Sequence, residues 1–221
     1  MKGVAILYED DELLVLNKPS GLAVQGGAGV GASLDTLLSA GGAPHFLVHR
    51  LDRDTSGIIL TAKTSEAAAR CAAFFRDGRV EKHYLALCAG SPPEQGHISE
   101  ELAVRGKKRP AETSYRLIAR GSLSGEFPCS LLDLKPATGR LHQLRRHLSG
   151  RGFPILGDDK YGDFALNRAL RKNAALKRLL LHAVSLSFPG FPLVCAPLPE
   201  HFVRILELAG WKENLEFWKN N

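Results

Sequence analysis

No stretch of this 221-residue chain is apolar for long enough to cross a bilayer. Apolar runs such as Val4–Tyr8 and Leu179–Leu181 fall far short of the about 20 residues a membrane helix needs. The opening Met1-Lys2-Gly3 and the short strand-like run after it lack the apolar region of a secretory signal. Cysteine is scarce: Cys71, Cys88, Cys129 and Cys195 stand far apart and form no CxxC or Cys/His pair. Neither a zinc knuckle nor a disulfide framework is suggested. The eight histidines show no metal-ligand spacing, and His142 and His147, at i and i+5, do not share a helical face. No metal or other cofactor is expected. There is no internal repeat and no low-complexity tract. The glycines of Gly26-Gly27-Ala28-Gly29-Val30-Gly31 lack the spacing of a P-loop or a dinucleotide fingerprint and read as a flexible loop. With 44% hydrophobic and 24% charged residues, the chain reads as a soluble, cytoplasmic globular protein. Its length fits one compact domain or two small lobes sharing a core.

What the chain has is localised positive charge. The net charge is +6, but Lys135–Arg178 alone holds 11 basic and 3 acidic residues, while the first hundred residues sum to −3. A charge so concentrated fits a polyanionic partner, most often nucleic acid; a solvated basic helix face is the plain alternative.

The pattern predicts strands at Val4–Tyr8, Glu12–Asn17, Ile58–Lys63, Lys82–Ala89, Glu112–Ala119, Pro128–Lys135 and Leu179–Phe188. Helices are predicted after Ser33, after Thr64 or Ser65, from near Gly139, and over Pro199–Leu208. Strands outnumber helices and do not alternate regularly with them, so the fold class is α+β rather than doubly wound.

Three segments resist a purely structural reading. In His49-Arg50-Leu51-Asp52-Arg53-Asp54-Thr55-Ser56-Gly57, two aspartates and two arginines crowd the end of an apolar strand; a polar turn with internal ion pairs fits as well. In Thr138-Gly139-Arg140-Leu141-His142-Gln143-Leu144-Arg145-Arg146-His147-Leu148, a helix would line up Leu141, Leu144 and Leu148. Arg145 then borders that stripe, about 40° from Leu141. There it needs a carboxylate partner unless it snorkels to the surface. Arg146 points nearly opposite, toward solvent or phosphate. In Glu81-Lys82-His83-Tyr84-Leu85-Ala86-Leu87, alternation puts Lys82, Tyr84 and Ala86 on one face, where a tyrosine is ordinarily core packing.

Taken together, His49-Arg50-Leu51-Asp52 followed by Thr55-Ser56-Gly57 resembles the signature of the RluA family of pseudouridine synthases. Asn17-Lys18-Pro19-Ser20-Gly21-Leu22, Lys82-His83-Tyr84-Leu85-Ala86, Thr138–Arg145, Pro154-Ile155-Leu156-Gly157-Asp158, Tyr161-Gly162-Asp163 and Leu181-His182-Ala183 are similar to further family motifs, in order. The RluC-like branch is the nearest, through Arg53-Asp54, Arg109–Thr113 and Asp158-Asp159. The resemblance covers roughly residues 4–200. It implies a mixed, largely antiparallel sheet with flanking helices and one catalytic domain over residues 1–221. Many relatives carry an N-terminal S4 domain, and the expectation here, as a departure from them, is none.

The same resemblance implies an RNA pseudouridine synthase acting on large-subunit (23S) ribosomal RNA, with no cofactor and as a monomer. A tRNA enzyme, an RNA-binding module with vestigial catalysis and a nucleoside hydrolase are the alternatives. It implies Asp52 as nucleophile or base at the ribose, with Asp54 the competitor in sequence. Arg145 would pair with Asp52, and Tyr84 would pack on the target base and help remove its C5 proton. Arg50 would fill the place of a flipped nucleotide. Lys107, Lys108, Arg109, Arg146, Arg171 and Lys172 are candidate RNA contacts, with Arg151, Lys177 and Arg178 beside them.

Overall fold

A computed structural model describes residues 3–27, 31–42, 44–104 and 106–211. Part of the predicted glycine-rich loop, residues 28–30, lies outside them. The chain divides into two compact units, residues 1–82 with 183–197, and residues 83–182 with 198–221.

In the first unit, β1 (Ala5–Glu9) and β2 (Leu13–Lys18) form a hairpin. Asp10 closes its turn by accepting the backbone N–H groups of Glu12 and Leu13 at 2.8 and 2.6 Å. β2 lies antiparallel to β4 (Ser56–Ala62), from Leu13 opposite Ala62 to Lys18 opposite Gly57. The short β3 (Phe46–Leu47) also pairs with β4. Every residue of β4 is buried, which explains its unbroken apolar run. The ends of β9 (Leu181–Phe188) and β10 (Phe191–Cys195) form a second hairpin. Gly57, at φ 110°, is obligatory: a Cβ there would sit 2.1 Å from the carbonyl oxygen of Ala183. Helix α1 (Leu34–Ser39) begins in a capping box between Ser33 and Thr36, and α2 (Ser65–Arg76) is capped by Thr64.

In the second unit, β5 (Glu81–Ala89), β8 (Phe127–Pro136), β7 (Lys107–Leu123) and β6 (Gln95–Val104) lie side by side in that order, all antiparallel. Leu144 and Leu148 of α3 (Gln143–Gly150) pack with Ala86, Cys88, Leu132 and Leu134. Helices α4 (Phe164–Asn173) and α5 (Glu200–Leu208) complete the unit, the latter burying Phe202, Ile205 and Leu206. The α+β class and the mostly antiparallel pairing agree with the sequence reading. None of the described helices is long and apolar enough to cross a membrane.

Three expectations need correction. The third helix begins at Gln143, not near Gly139, because His142 takes a left-handed conformation (φ 52°) that a right-handed helix cannot contain. Leu141 therefore leaves the stripe and is 48% exposed. Strand β6 was not foreseen. Only Ile98 and Leu102 of it are buried, a spacing of four that hides the alternation of an edge strand. Helix α4 was missed too, because one of its two buried positions is the polar Asn167, which breaks the apolar stripe.

Candidate functional site

The loop that carries Asp52 is held from below by a buried lysine. Lys18 ends β2 with 0% exposure, and its Nζ donates to the carbonyls of Pro19 (3.0 Å), Leu22 (2.8 Å) and Arg53 (3.0 Å). Three ammonium hydrogens thus meet three carbonyl oxygens. Burial pushes the Lys18 pKa down to about 8, opposed by the charges of Asp54 and Asp52. The same clamp has three further bonds: Gly21 N–H to the Arg53 carbonyl, Arg53 Nε to the Gly21 carbonyl, and Ser20 Oγ to the Asp54 carbonyl. The backbone on either side of Arg53 is fixed, while the side chains of Asp52 and Asp54 are half-buried. The role of Lys18 was not assigned from sequence. Its signal was a lysine ending an apolar strand just before Pro-Ser-Gly, a turn that offers carbonyls to one cation.

His49 is held as a structural side chain at the start of the loop. Its Nε2 accepts the Leu60 N–H at 2.8 Å, and its ring stacks on Phe75 at 4.6 Å. Burial, reinforced by the Lys82 charge, pushes its pKa down to about 3 and keeps it neutral. Arg50 and Arg53 are exposed.

Tyr84 lies on β5 opposite Leu134, half-buried against the core cluster that includes Ala86 and Cys88. Its face is the one alternation predicts. On the other face, His83 Nδ1 contacts the Asp133 carboxylate at 2.9 Å.

Arg145 is 4% exposed, and a carboxylate on it is Asp158, itself 1% exposed. The contact is bidentate: Nε donates to Oδ2 at 2.8 Å and Nη2 to Oδ1 at 2.7 Å. Asp159 adds a longer contact at 3.4 Å. Asp158 Oδ1 also accepts the N–H groups of Lys160 and Tyr161, both at 2.9 Å. Burial alone would raise the Asp158 pKa, but Arg145 and the two backbone donors outweigh it and hold the carboxyl below its usual range. The Tyr161 ring lies 5.3 Å from the guanidinium carbon, and its hydroxyl meets His142 Nδ1 at 3.0 Å. Gln143 locks the start of α3: Oε1 accepts from Thr138 Oγ1 and the Arg140 N–H, and Nε2 donates to the Glu112 carbonyl and Thr113 Oγ1. The sequence reading flagged Asp158 within a motif without giving it a role.

Arg146 is also placed differently from its helical-wheel position. It is half-buried, and its Nη1 donates to the Ala103 carbonyl on β6 at 3.0 Å, because the unforeseen edge strand lies against α3. Lys107, Lys108 and Arg109 are exposed in a row at the start of β7, and Arg171 and Lys172 are exposed on α4. Arg171 lines a cavity with Arg168 and Lys177; Lys172 does not. Among the described residues, no group of three or more His, Cys, Asp or Glu side chains is arranged as a metal site.

A family model described as RNA pseudouridylate synthase matches residues 12–150, from β2 through the clamped Asp52 loop, Tyr84 and Arg145 to the end of α3. The chain belongs to that family. A 197-residue match to the ribosomal large subunit pseudouridine synthase C of Vibrio vulnificus (strain CMCP6) is 40% identical and covers 83% of this chain and 60% of that protein. The tRNA pseudouridine synthase C of Salmonella typhi is 36% identical over 234 residues, covering 94% of this chain and 90% of that one. The solved human RNA pseudouridylate synthase domain-containing protein 4 has a TM-score of 0.76 and 29% identity, with 93% of each chain covered. This RluA-family chain is RluC-like, as its motifs imply, and spans about 60% of the length of the first curated relatives it matches.

Proposed function

We propose that this chain is an RNA pseudouridine synthase that isomerises specific uridines of large-subunit (23S) ribosomal RNA, working as a monomer in the cytoplasm. The observation that carries this reading is the signature loop itself. Its backbone is pinned at Arg53 by Lys18 and Gly21, and the adjacent Asp52 is half-buried. The reaction breaks the N1–C1′ bond of a uridine, turns the base and joins C5 to C1′. C5 loses a proton and N1 gains one, so the product is an isomer and no redox partner is required.

In this reading Asp52 attacks the sugar or removes a proton from it. Tyr84 packs on the base and assists at C5. Arg145 presents a guanidinium whose plane Asp158 has already set. Arg50, Lys107, Lys108, Arg109, Arg146, Arg171 and Lys172 meet RNA, most of them through phosphates. A second reading, a tRNA substrate, is favoured by the similarity to the Salmonella typhi protein over nearly its whole length.

The test is to incubate the full chain with a 23S transcript, with unmodified tRNA transcripts and with free uridine, and to map pseudouridine at single-nucleotide resolution. Discrete sites in 23S RNA are the expected result. Sites only in tRNA would transfer the activity to the second reading. Glycosidic cleavage of free uridine, or no product from any RNA, would reject the proposal.

A further inference from the structure

Helix α4 carries a feature that the proposed catalytic roles do not use. Phe164, Arg168 and Arg171 stand at i, i+4 and i+7 and so share one helical face. They line a cavity of about 210 Å³ together with Lys177, Leu176, Asn167 and Asp159, so three cations face one carboxylate there. Asn167 forms its wall: its Oδ1 accepts the Gly157 N–H and its Nδ2 donates to the Asp158 carbonyl, both at 2.9 Å. The wall is therefore tied to the loop that orients Arg145. Phe164 is 60% exposed, so its ring is open to a stacking partner from solvent. Among the described residues, no ion pair engages Arg168, Arg171 or Lys177.

Three cations beside one exposed ring match the chemistry of a nucleotide in single-stranded RNA, where phosphate meets the charges and the base stacks on the aromatic face. The cavity is too small for a drug-sized ligand but large enough for a phosphate with part of its ribose. An acidic peptide would satisfy the cations and leave the ring without a stacking partner, so RNA is the better fit. We propose that Phe164, Arg168, Arg171 and Lys177 form a subsite for one unpaired nucleotide of the substrate RNA, outside the target uridine. The proposal rests on the reading of the chain as an RNA pseudouridine synthase. It adds a stacking residue and a phosphate clamp to that reading.

The test measures binding of a short single-stranded RNA carrying 4-thiouridine to the full chain, with photo-crosslinks mapped by mass spectrometry. Phe164→Ala is expected to weaken binding about five-fold or more. Phe164→Tyr should restore it and Phe164→Leu should not, which separates stacking from plain apolar contact. The Arg168→Gln/Arg171→Gln variant should make the slope of log affinity against log salt shallower by about 2. The crosslink should fall on α4 or on Leu176–Lys177. Because Phe164 is exposed, these variants test the subsite rather than the fold. Wild-type affinity and slope in the double variant, or equal binding by the Leu and Tyr variants, would overturn the subsite. Competition by polyglutamate as strong as that by RNA would overturn it as well. The two proposals fail separately. A protein that makes pseudouridine while Phe164→Ala binds like wild type loses only the subsite. One that binds RNA through Phe164 and makes no pseudouridine loses only the catalytic reading.

Discussion

Two loops of this chain each present an aspartate, and they use it in opposite ways. In the loop of residues 49–57 the backbone does the anchoring. Carbonyls and N–H groups around Arg53 are tied to Lys18, Ser20 and Gly21, and the carboxylates of Asp52 and Asp54 remain half-buried. In the loop of residues 154–163 the carboxylate is the anchor. Asp158 accepts two bonds from Arg145 and two backbone N–H groups, and it is sealed from solvent. A buried carboxylate held by four hydrogen bonds is committed to its partners, whereas a half-buried one on a pinned backbone can be aimed at a substrate. In the proposed function Asp52 carries the chemistry, while Asp158 anchors Arg145.

The largest effect that could break this contrast is on turnover. Asp52→Asn is expected to lower pseudouridine formation by on the order of 10³-fold or more while the melting temperature stays within a few degrees. Asp54→Asn should retain substantial activity. A dead Asp54→Asn beside an active Asp52→Asn would move the chemistry to Asp54.

The second effect is on stability. Arg145→Met strands a buried carboxylate and should cost about 3–5 kcal/mol by denaturant unfolding. Combining it with Asp158→Asn should cost less than the two single losses added, with a coupling of about 1 kcal/mol or more. Strict additivity would mean that the bidentate pair does not act as a unit.

Lys18→Met comes third. It leaves three carbonyls without their donor and should destabilise the fold by about 1–3 kcal/mol. Since Lys18 positions Asp52 through backbone, the variant should also lower kcat more than it raises KM. A loss confined to stability would reduce Lys18 to a structural anchor.

The smallest effect sharpens the first loop alone. The folded protein keeps His49 neutral down to about pH 3, while an unfolded histidine takes up a proton near 6.5. The unfolded state therefore binds more protons between those values, and stability should fall as pH drops from about 6.5 toward 3. His49→Gln keeps a hydrogen-bond acceptor but removes the titration, so its stability curve should be flatter in that window. An unchanged slope would show that other groups govern the acid limb.

Much of the fold was legible in local chemistry. The capping residues Ser33 and Thr64, the apolar run of β4, the alternation that turns Tyr84 toward the core, and the α5 stripe all express rules that act within a few residues. The need of Arg145 for a carboxylate was also readable, because an arginine beside a leucine stripe cannot be left alone. Helix α4 and strand β6 were not readable, since a buried asparagine and an edge position each erase the apolar period that announces an element.

The sequence by itself determined the kinds of residue at the candidate site, their order and their membership of the RNA pseudouridylate synthase family. Only the tertiary structure decided which charges meet. That Arg145 grips Asp158, that Arg146 is drawn onto Ala103, and that Lys18 holds Arg53 from 35 positions away are long-range matches. Each depends on where the backbone places a donor and an acceptor once water has been excluded. A buried charge must find partners somewhere in the fold, and that requirement is visible in sequence. The identity of the partner is set by chain topology, which no local pattern encodes.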